Sequence, residues 1–213
     1  MPVNTDGRGG GMRPHAPLRP SLATLPVTGV EPPLARRPIV LIGFMGVGKS
    51  AVGKRLARLL GYEFVDTDLM VEQAAGKTIA AIFADEGEER FREMETTALR
   101  EALEQPARVV SAGGGITTRE ENRRILAGSA AVVLLTARPE VVLMRVRPIE
   151  KRPMLAGWPD PLERIRSLMQ ERAPIYSEYH CRFDTSHCPP RVTAEKIARW
   201  YASLHTEESD AHR

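Results

Sequence analysis

"PIVLIGFMGVGKS", Pro38 to Ser50, decides how the rest of the chain is read. Its first half is a short unbroken run of Ile, Val and Leu, the pattern of a strand covered on both faces of a parallel sheet. Its second half, Gly43 to Ser50, fits G-x-x-x-x-G-K-[ST] in full. Glycines at those positions let backbone N–H groups turn inward around phosphate oxygens, and a helix that begins at the end of the loop aims its positive terminus at the same place. Such a helix is expected, since Val52, Leu56, Leu59 and Leu60 recur on one face until Gly61. In this arrangement Lys49 reaches the β and γ phosphates and the Ser50 hydroxyl can ligate magnesium. A glycine-rich turn with a surface lysine would carry the same letters. It would not need a buried strand before it and an amphipathic helix after it.

Outward from this unit, strands alternate with helices. "YEFVDTD" reads as a second strand, "LMVEQAAG" as a short helix closed by Gly76, and Thr78 can cap another short helix through Phe83. A longer helix from Glu88 to Glu104 carries Phe91, Met94, Ala98 and Ala102 on one face and ends before Pro106. "RVVSA" is a third strand entering three glycines, "NRRILAG" a helix, "AAVVLLTA" a fourth strand and "PEVVLMRV" a helix with Pro139 in its first turn. "KRPMLAGWPD" is loop-like, "PLERIRSLMQERAP" a helix ending before Pro174, "CRFDT" a fifth strand and "TAEKIARWYASL" a last helix. The alternation predicts an α/β fold with a parallel sheet. Ligands collect beyond the carboxyl ends of such strands. The phosphate loop, the Asp66–Asp68 pair and Gly113–Gly115 are therefore expected on one edge.

If "FVDTD" stays extended, Asp66 and Asp68 point to the same side and Thr67 points away. Two like charges so placed need a cation, a proton or a hydroxyl donor nearby. The alternative is turn or helix-capping chemistry, for which Asp-Thr-Asp is ordinary. Further along, Ile165, Leu168 and Met169 form an apolar stripe that Arg172 continues, so this charge on the buried side needs a partner. A ligand carboxylate or phosphate, a plain ion pair, or a snorkelling arginine would each supply one. Arg92 has Glu88 and Glu95 at helix-pairing distances, which would neutralise it.

At 213 residues, with 42% hydrophobic and 27% charged composition, the chain suits one domain with a sizeable core. The net charge of +3 would suggest nucleic-acid binding if it belonged to the core. It does not, because Arg8, Arg13, Arg19, Arg36 and Arg37 outnumber Asp6 and Glu31 by that same amount within residues 1–37. That Pro/Gly/Arg-rich stretch reads as a disordered extension, 38–204 as the domain, and 205–213 as a polar tail. With a formally neutral core no nucleic acid is an expected partner, and with no run of 18 or more apolar residues no membrane is, so a cytoplasmic location is expected. His180, Cys181, His187 and Cys188 fit no common zinc spacing, and free thiols are expected.

"GFMGVGKS", "FVDTDLMVEQAAGKTIAAIFADEGEERFREMETTAL", "VVSAGGG", "KRPMLAG" and "ERAPIYSE" stand in an order and spacing that resemble those of shikimate kinases, over Ile39 to Thr185. The resemblance implies a P-loop NTPase-like fold of the nucleoside monophosphate kinase kind: a five-stranded parallel sheet flanked by helices, with a lid at about 148–160 and a substrate-binding subdomain. It implies ATP-dependent phosphorylation of the 3-hydroxyl of shikimate, with Mg2+; a monomer is the default expectation, since no stretch of the sequence marks a partner surface. Carried over by residue, Gly43, Met45, Gly46, Val47, Gly48, Lys49, Ser50 and Ala51 would contact ATP, and Arg145 would stack on adenine. Lys49 would hold the phosphates, Ser50 the metal directly and Asp66 the metal through water. Asp68 would bind the acceptor hydroxyl, while Arg92, Arg172 and Gly113, Gly114 and Gly115 hold the acceptor. Arg152 would close over the phosphates. Ala51 stands where a threonine is common, Met154 where a leucine is, and "DTSHCPP" has no secure counterpart among the family's base contacts. Phosphorylation of another polyol acid such as gluconate, or shikimate binding without catalysis, are the alternatives.

Overall fold

The computed structural model describes residues 37–149, 154–155, 157–176 and 179–210, with side chains described through residue 204. Residues 1–36, Arg152 and part of the expected lid lie outside the described residues.

Ile39–Ile42 (β1) is fully buried and paired in parallel on both sides, which is why no polar residue interrupts it. One neighbour is Arg108–Ser111 (β3), followed by Glu63–Asp66 (β2). The other is Ala131–Thr136 (β4), followed by Cys181–Asp184 (β5). The order β2-β3-β1-β4-β5 is the expected five-stranded parallel sheet. From β1 the chain crosses toward β2 and from β3 it crosses back toward β4. The crevice beyond these two adjacent strands is thus a topological switch point, where doubly wound sheets bind ligands.

Helices cover both faces, and the side chains of β1 divide between them with period two. Ile39 and Leu41 pack with Val52 and Leu56 of Lys49–Leu60 (α1), Ile165 and Leu168 of Pro161–Arg172 (α6), and Ile197 of Pro190–Asp210 (α7). Val40 and Ile42 pack with Leu99 and Ala102 of Ile79–Leu103 (α3) and Leu126 of Glu120–Ser129 (α4). A smaller cluster of Val71, Ile82, Phe91 and Ala98 ties α3 to Thr67–Ala75 (α2). Pro139–Arg145 (α5) begins with its proline in the first turn, as expected. No helix among the described residues is long and apolar enough to cross a membrane.

The two helices anticipated between Thr78 and Glu104 are both present within α3, where Gly87 (φ 84°, ψ 173°) leaves the helical conformation and separates them at a kink. One expectation changes: the extended reading of Asp66–Thr67–Asp68 does not hold. Strand β2 stops at Asp66, whose Oδ1 accepts from the Asp68 N–H (3.2 Å), so Asp68 sits in the first turn of α2 and Thr67 is fully buried. The capping alternative prevails because a helix start has orphan N–H groups, and an aspartate at this position satisfies one of them.

Candidate active site

The phosphate loop leaves β1 at Gly43, where a Cβ would stand 2.2 Å from the Leu135 carbonyl oxygen, and it enters α1 at Lys49. Lys49 Nζ donates back to the carbonyls of Gly43 (2.8 Å) and Phe44 (3.1 Å). Protein atoms enclose the ammonium although the side chain as a whole keeps some exposure. Burial pushes its pKa down to about 8, against the opposing pull of Asp68 and then Asp66. This lysine is held close to where phosphate charge would arrive.

At the next residue, Ser50 Oγ donates to Asp66 Oδ2 (2.8 Å) and lies 3.2 Å from Ser111 Oγ. Asp66 therefore does two things, capping α2 with one oxygen and orienting Ser50 with the other. A hydroxyl and a carboxylate at the mouth of a phosphate loop are hard oxygen donors of the kind Mg2+ takes when substrate phosphates and water complete its shell. Among the described residues there is no cluster of three or more His, Cys, Asp or Glu that would cage a metal with protein alone.

The triglycine run after β3 is a crossroads for the other charges. Gly113 N–H donates to Thr67 Oγ1 (2.9 Å), so the buried threonine between the two aspartates anchors it. A Cβ on Gly113 would fall 2.3 Å from Glu95 Oε1 and 2.6 Å from Asp68 Oδ1, and one on Gly115 would fall 2.2 Å from Arg92 Nη1. Only glycine leaves room there for two carboxylates and a guanidinium. Gly114 O accepts from Arg172 Nη1 (3.1 Å) and from Tyr176 OH (2.7 Å), and burial raises the tyrosine pKa to about 12, which keeps it a donor.

Arg92 is paired with Glu95 (2.8 Å) and Glu88 (2.9 Å), so both neutralising neighbours foreseen in the sequence are engaged. Glu95 is 1% exposed; burial pushes its pKa up, Arg92 opposes this, and Asp68 adds to it. Its Oε1 has no hydrogen-bond partner among the described residues. Arg172 differs from Arg92, since it bonds a neutral carbonyl and lies 5.5 Å from the centre of the Phe44 ring.

A cleft of about 430 Å³ runs from Asp68 and Gly114 past Lys49 and Ser50 to Arg145 and Cys188. The loop from Met45 to Ala51, together with Asp66, Asp68, Gly114 and Arg145, lines it as the sequence led us to expect. Gly43, Gly113, Gly115, Arg92 and Arg172 border or support this space without forming its lining. Arg152 lies outside the described residues. Thr67, Ser111, Tyr176 and Thr185 also meet at the site, and the sequence singled out none of them as functional. Tyr176 was within reach, since it stands in "ERAPIYSE".

The shikimate kinase family model matches residues 45–202. The chain belongs to the shikimate kinase family. A shikimate kinase of Caldanaerobacter subterraneus subsp. tengcongensis is 41% identical over 166 residues, covering 78% of this chain and 96% of that one. A shikimate kinase of Pelotomaculum thermopropionicum is 44% identical over 159 residues, covering 75% and 92% respectively. Among solved structures, shikimate kinase from Acinetobacter baumannii in complex with shikimate superposes with a TM-score of 0.75 at 38% identity, over 80% of this chain and 95% of that one. A gluconokinase from Sinorhizobium meliloti, at 19% identity and a TM-score of 0.51, shares the fold alone. Membership in the shikimate kinase family agrees with the parallel sheet and with the shared edge on which the phosphate loop, Asp66–Asp68 and the glycines meet.

Proposed function

We propose that this chain transfers the γ-phosphoryl group of ATP to the 3-hydroxyl of shikimate, giving shikimate 3-phosphate and ADP. The observation that carries this reading is the joining, in one cleft, of a phosphate loop to an acidic and glycine-rich acceptor side in a member of the shikimate kinase family. In this reading Lys49 exchanges its two carbonyl partners for phosphate oxygens. Ser50, and Asp66 through water, hold Mg2+, whose chemistry when bound is to offset charge on the β and γ phosphates. Asp68 accepts the hydrogen bond of the acceptor hydroxyl and holds its oxygen in line. As that oxygen bonds to the γ-phosphorus and the bond to ADP breaks, the hydroxyl proton passes to Asp68. Arg152 is assigned the closing contact to the phosphates.

The two clamp arginines need not contribute equally. Glu88 and Glu95 already balance Arg92, whereas the described residues give Arg172 a carbonyl and a ring but no ion pair. Arg172 is therefore the stronger attractor for the acceptor carboxylate, and Arg92 acts more as a shaped wall of the site.

A coupled assay with Mg2+ and ATP tests the reading. ADP formation should depend on shikimate, and turnover of gluconate without turnover of shikimate would overturn the assignment. So would calorimetric binding of shikimate and ATP with no ADP formed. Gly113→Ala supplies a geometric check, because its methyl would press on Asp68 Oδ1 and Glu95 Oε1 together. A misplacement of about 1 Å at the reacting oxygen costs on the order of 100-fold, and kcat should fall by about that factor while ADP affinity stays within about threefold.

A further inference from the structure

Thr185 belongs to neither the phosphate loop nor the acceptor side, yet three parts of the nucleotide end meet on it. It stands one residue beyond β5 and is 3% exposed. Its N–H donates to Thr136 O at the end of β4 (2.8 Å). Its hydroxyl donates to Val47 O in the phosphate loop (2.8 Å), with Thr136 O as a more distant second acceptor (3.1 Å). Arg145, the last residue of α5, then donates twice to this one residue, from Nη1 to Thr185 Oγ1 (3.0 Å) and from Nη2 to Thr185 O (2.7 Å).

The polarity of these bonds is consistent. A threonine hydroxyl has one hydrogen and two lone pairs. Spending the hydrogen on Val47 leaves the lone pairs for the arginine, and each bond polarises the other favourably. Two donors on one partner also fix the plane of a guanidinium, which a single bond would leave free to swing. Arg145 and Thr185 line the same cleft as Gly48, Lys49 and Ser50. A plane fixed before the ligand arrives need not be ordered at the expense of binding.

We propose that Thr185 is a positioning residue that locks the Arg145 guanidinium against the phosphate loop, so that the base and the phosphates of one nucleotide are gripped in fixed register. The inference rests on nucleotide binding as proposed above and on the contact of Arg145 with the base that the family resemblance implies, and it is independent of which acceptor is phosphorylated. Its chemistry is specific to ligands that carry both a base and a phosphate chain.

Calorimetry on the full chain, with ADP and with inorganic tripolyphosphate as probes, tests it. Thr185→Val should weaken ADP by about tenfold, the value of a charge-assisted hydrogen bond, and Thr185→Ser should restore affinity to within about twofold. Tripolyphosphate has no base, so T185V should change its affinity by less than about twofold. In an Arg145→Met background, T185V should add less than about twofold to the loss of ADP affinity, because the group it positions is already gone. Unchanged ADP affinity in T185V, an additive loss in the Arg145→Met background, or an equal loss of tripolyphosphate would each overturn the assignment. If T185V does not fold, Thr185→Ala is read by the same criteria. A wild-type chain that failed to bind ADP would instead overturn the nucleotide reading beneath it.

Discussion

Asp68→Asn is expected to lower kcat by about 1000-fold or more while nucleotide affinity stays within about threefold. Asparagine keeps the size of the side chain, so the crowded space over Gly113 is preserved and the anchor from Gly113 to Thr67 is undisturbed. The cap of α2 also survives, because it uses the backbone N–H of residue 68 and the side chain of Asp66. What disappears is the charge and the second acceptor oxygen facing the hydroxyl. Lys49 loses the carboxylate that most favours its charged form, but Asp66 remains to support it. Single-turnover kinetics beside an ADP titration separate the two effects. A variant that kept turnover within about tenfold of the wild type would show that Asp68 does not take the hydroxyl proton, since an amide oxygen can still accept the hydroxyl's hydrogen bond but cannot act as the base, a role that supplies about 100-fold or more.

The role proposed for Asp68 does not depend on an extended backbone from Asp66 to Asp68. From the sequence, Asp66 and Asp68 share a side because an extended strand alternates. In the fold they share a site because Asp66 ends the strand and caps a helix whose first turn carries Asp68. Period-two reasoning breaks where side-chain capping competes with strand pairing, and Asp-Thr-Asp is strong in capping. Most of the architecture was legible because it depends on local patterns: the buried run at Ile39–Ile42, the stripe that ends at Gly61, and the proline at the start of α5. The missed residues act across long sequence separations. Thr67 meets Gly113, Tyr176 meets Gly114, and Thr185 meets Val47, and no local period marks any of these pairs. Arg92 shows the opposite limit. Its two glutamates were visible in the sequence, but only the fold distinguishes exposed Glu88 from buried Glu95.

Lys49→Met is expected to move function and stability in opposite directions. The ammonium is enclosed near the phosphate loop, and a pKa depressed to about 8 means that the folded chain holds the charged form less well than water does. At neutral pH the lysine is nevertheless charged in both states, so the folded ligand-free protein bears the desolvation cost. Methionine is of similar length, unbranched and uncharged, and it can fill the same space without that cost. Two part-buried hydrogen bonds, to Gly43 O and Phe44 O, are lost in exchange, and their net worth of about 1 kcal/mol each offsets part of the gain. The balance favours the variant by about 1–2 kcal/mol, a rise in Tm of roughly 2–8 °C. Phosphate binding carries the opposite sign, since removing a donor aimed at developing charge costs about 100- to 1000-fold in kcat/KM. Thermal melts of the ligand-free chain and the coupled assay report the two quantities independently. A variant that lost stability as well as turnover would mean that the lysine's carbonyl bonds outweigh its desolvation, and that Lys49 holds the loop together before any nucleotide arrives.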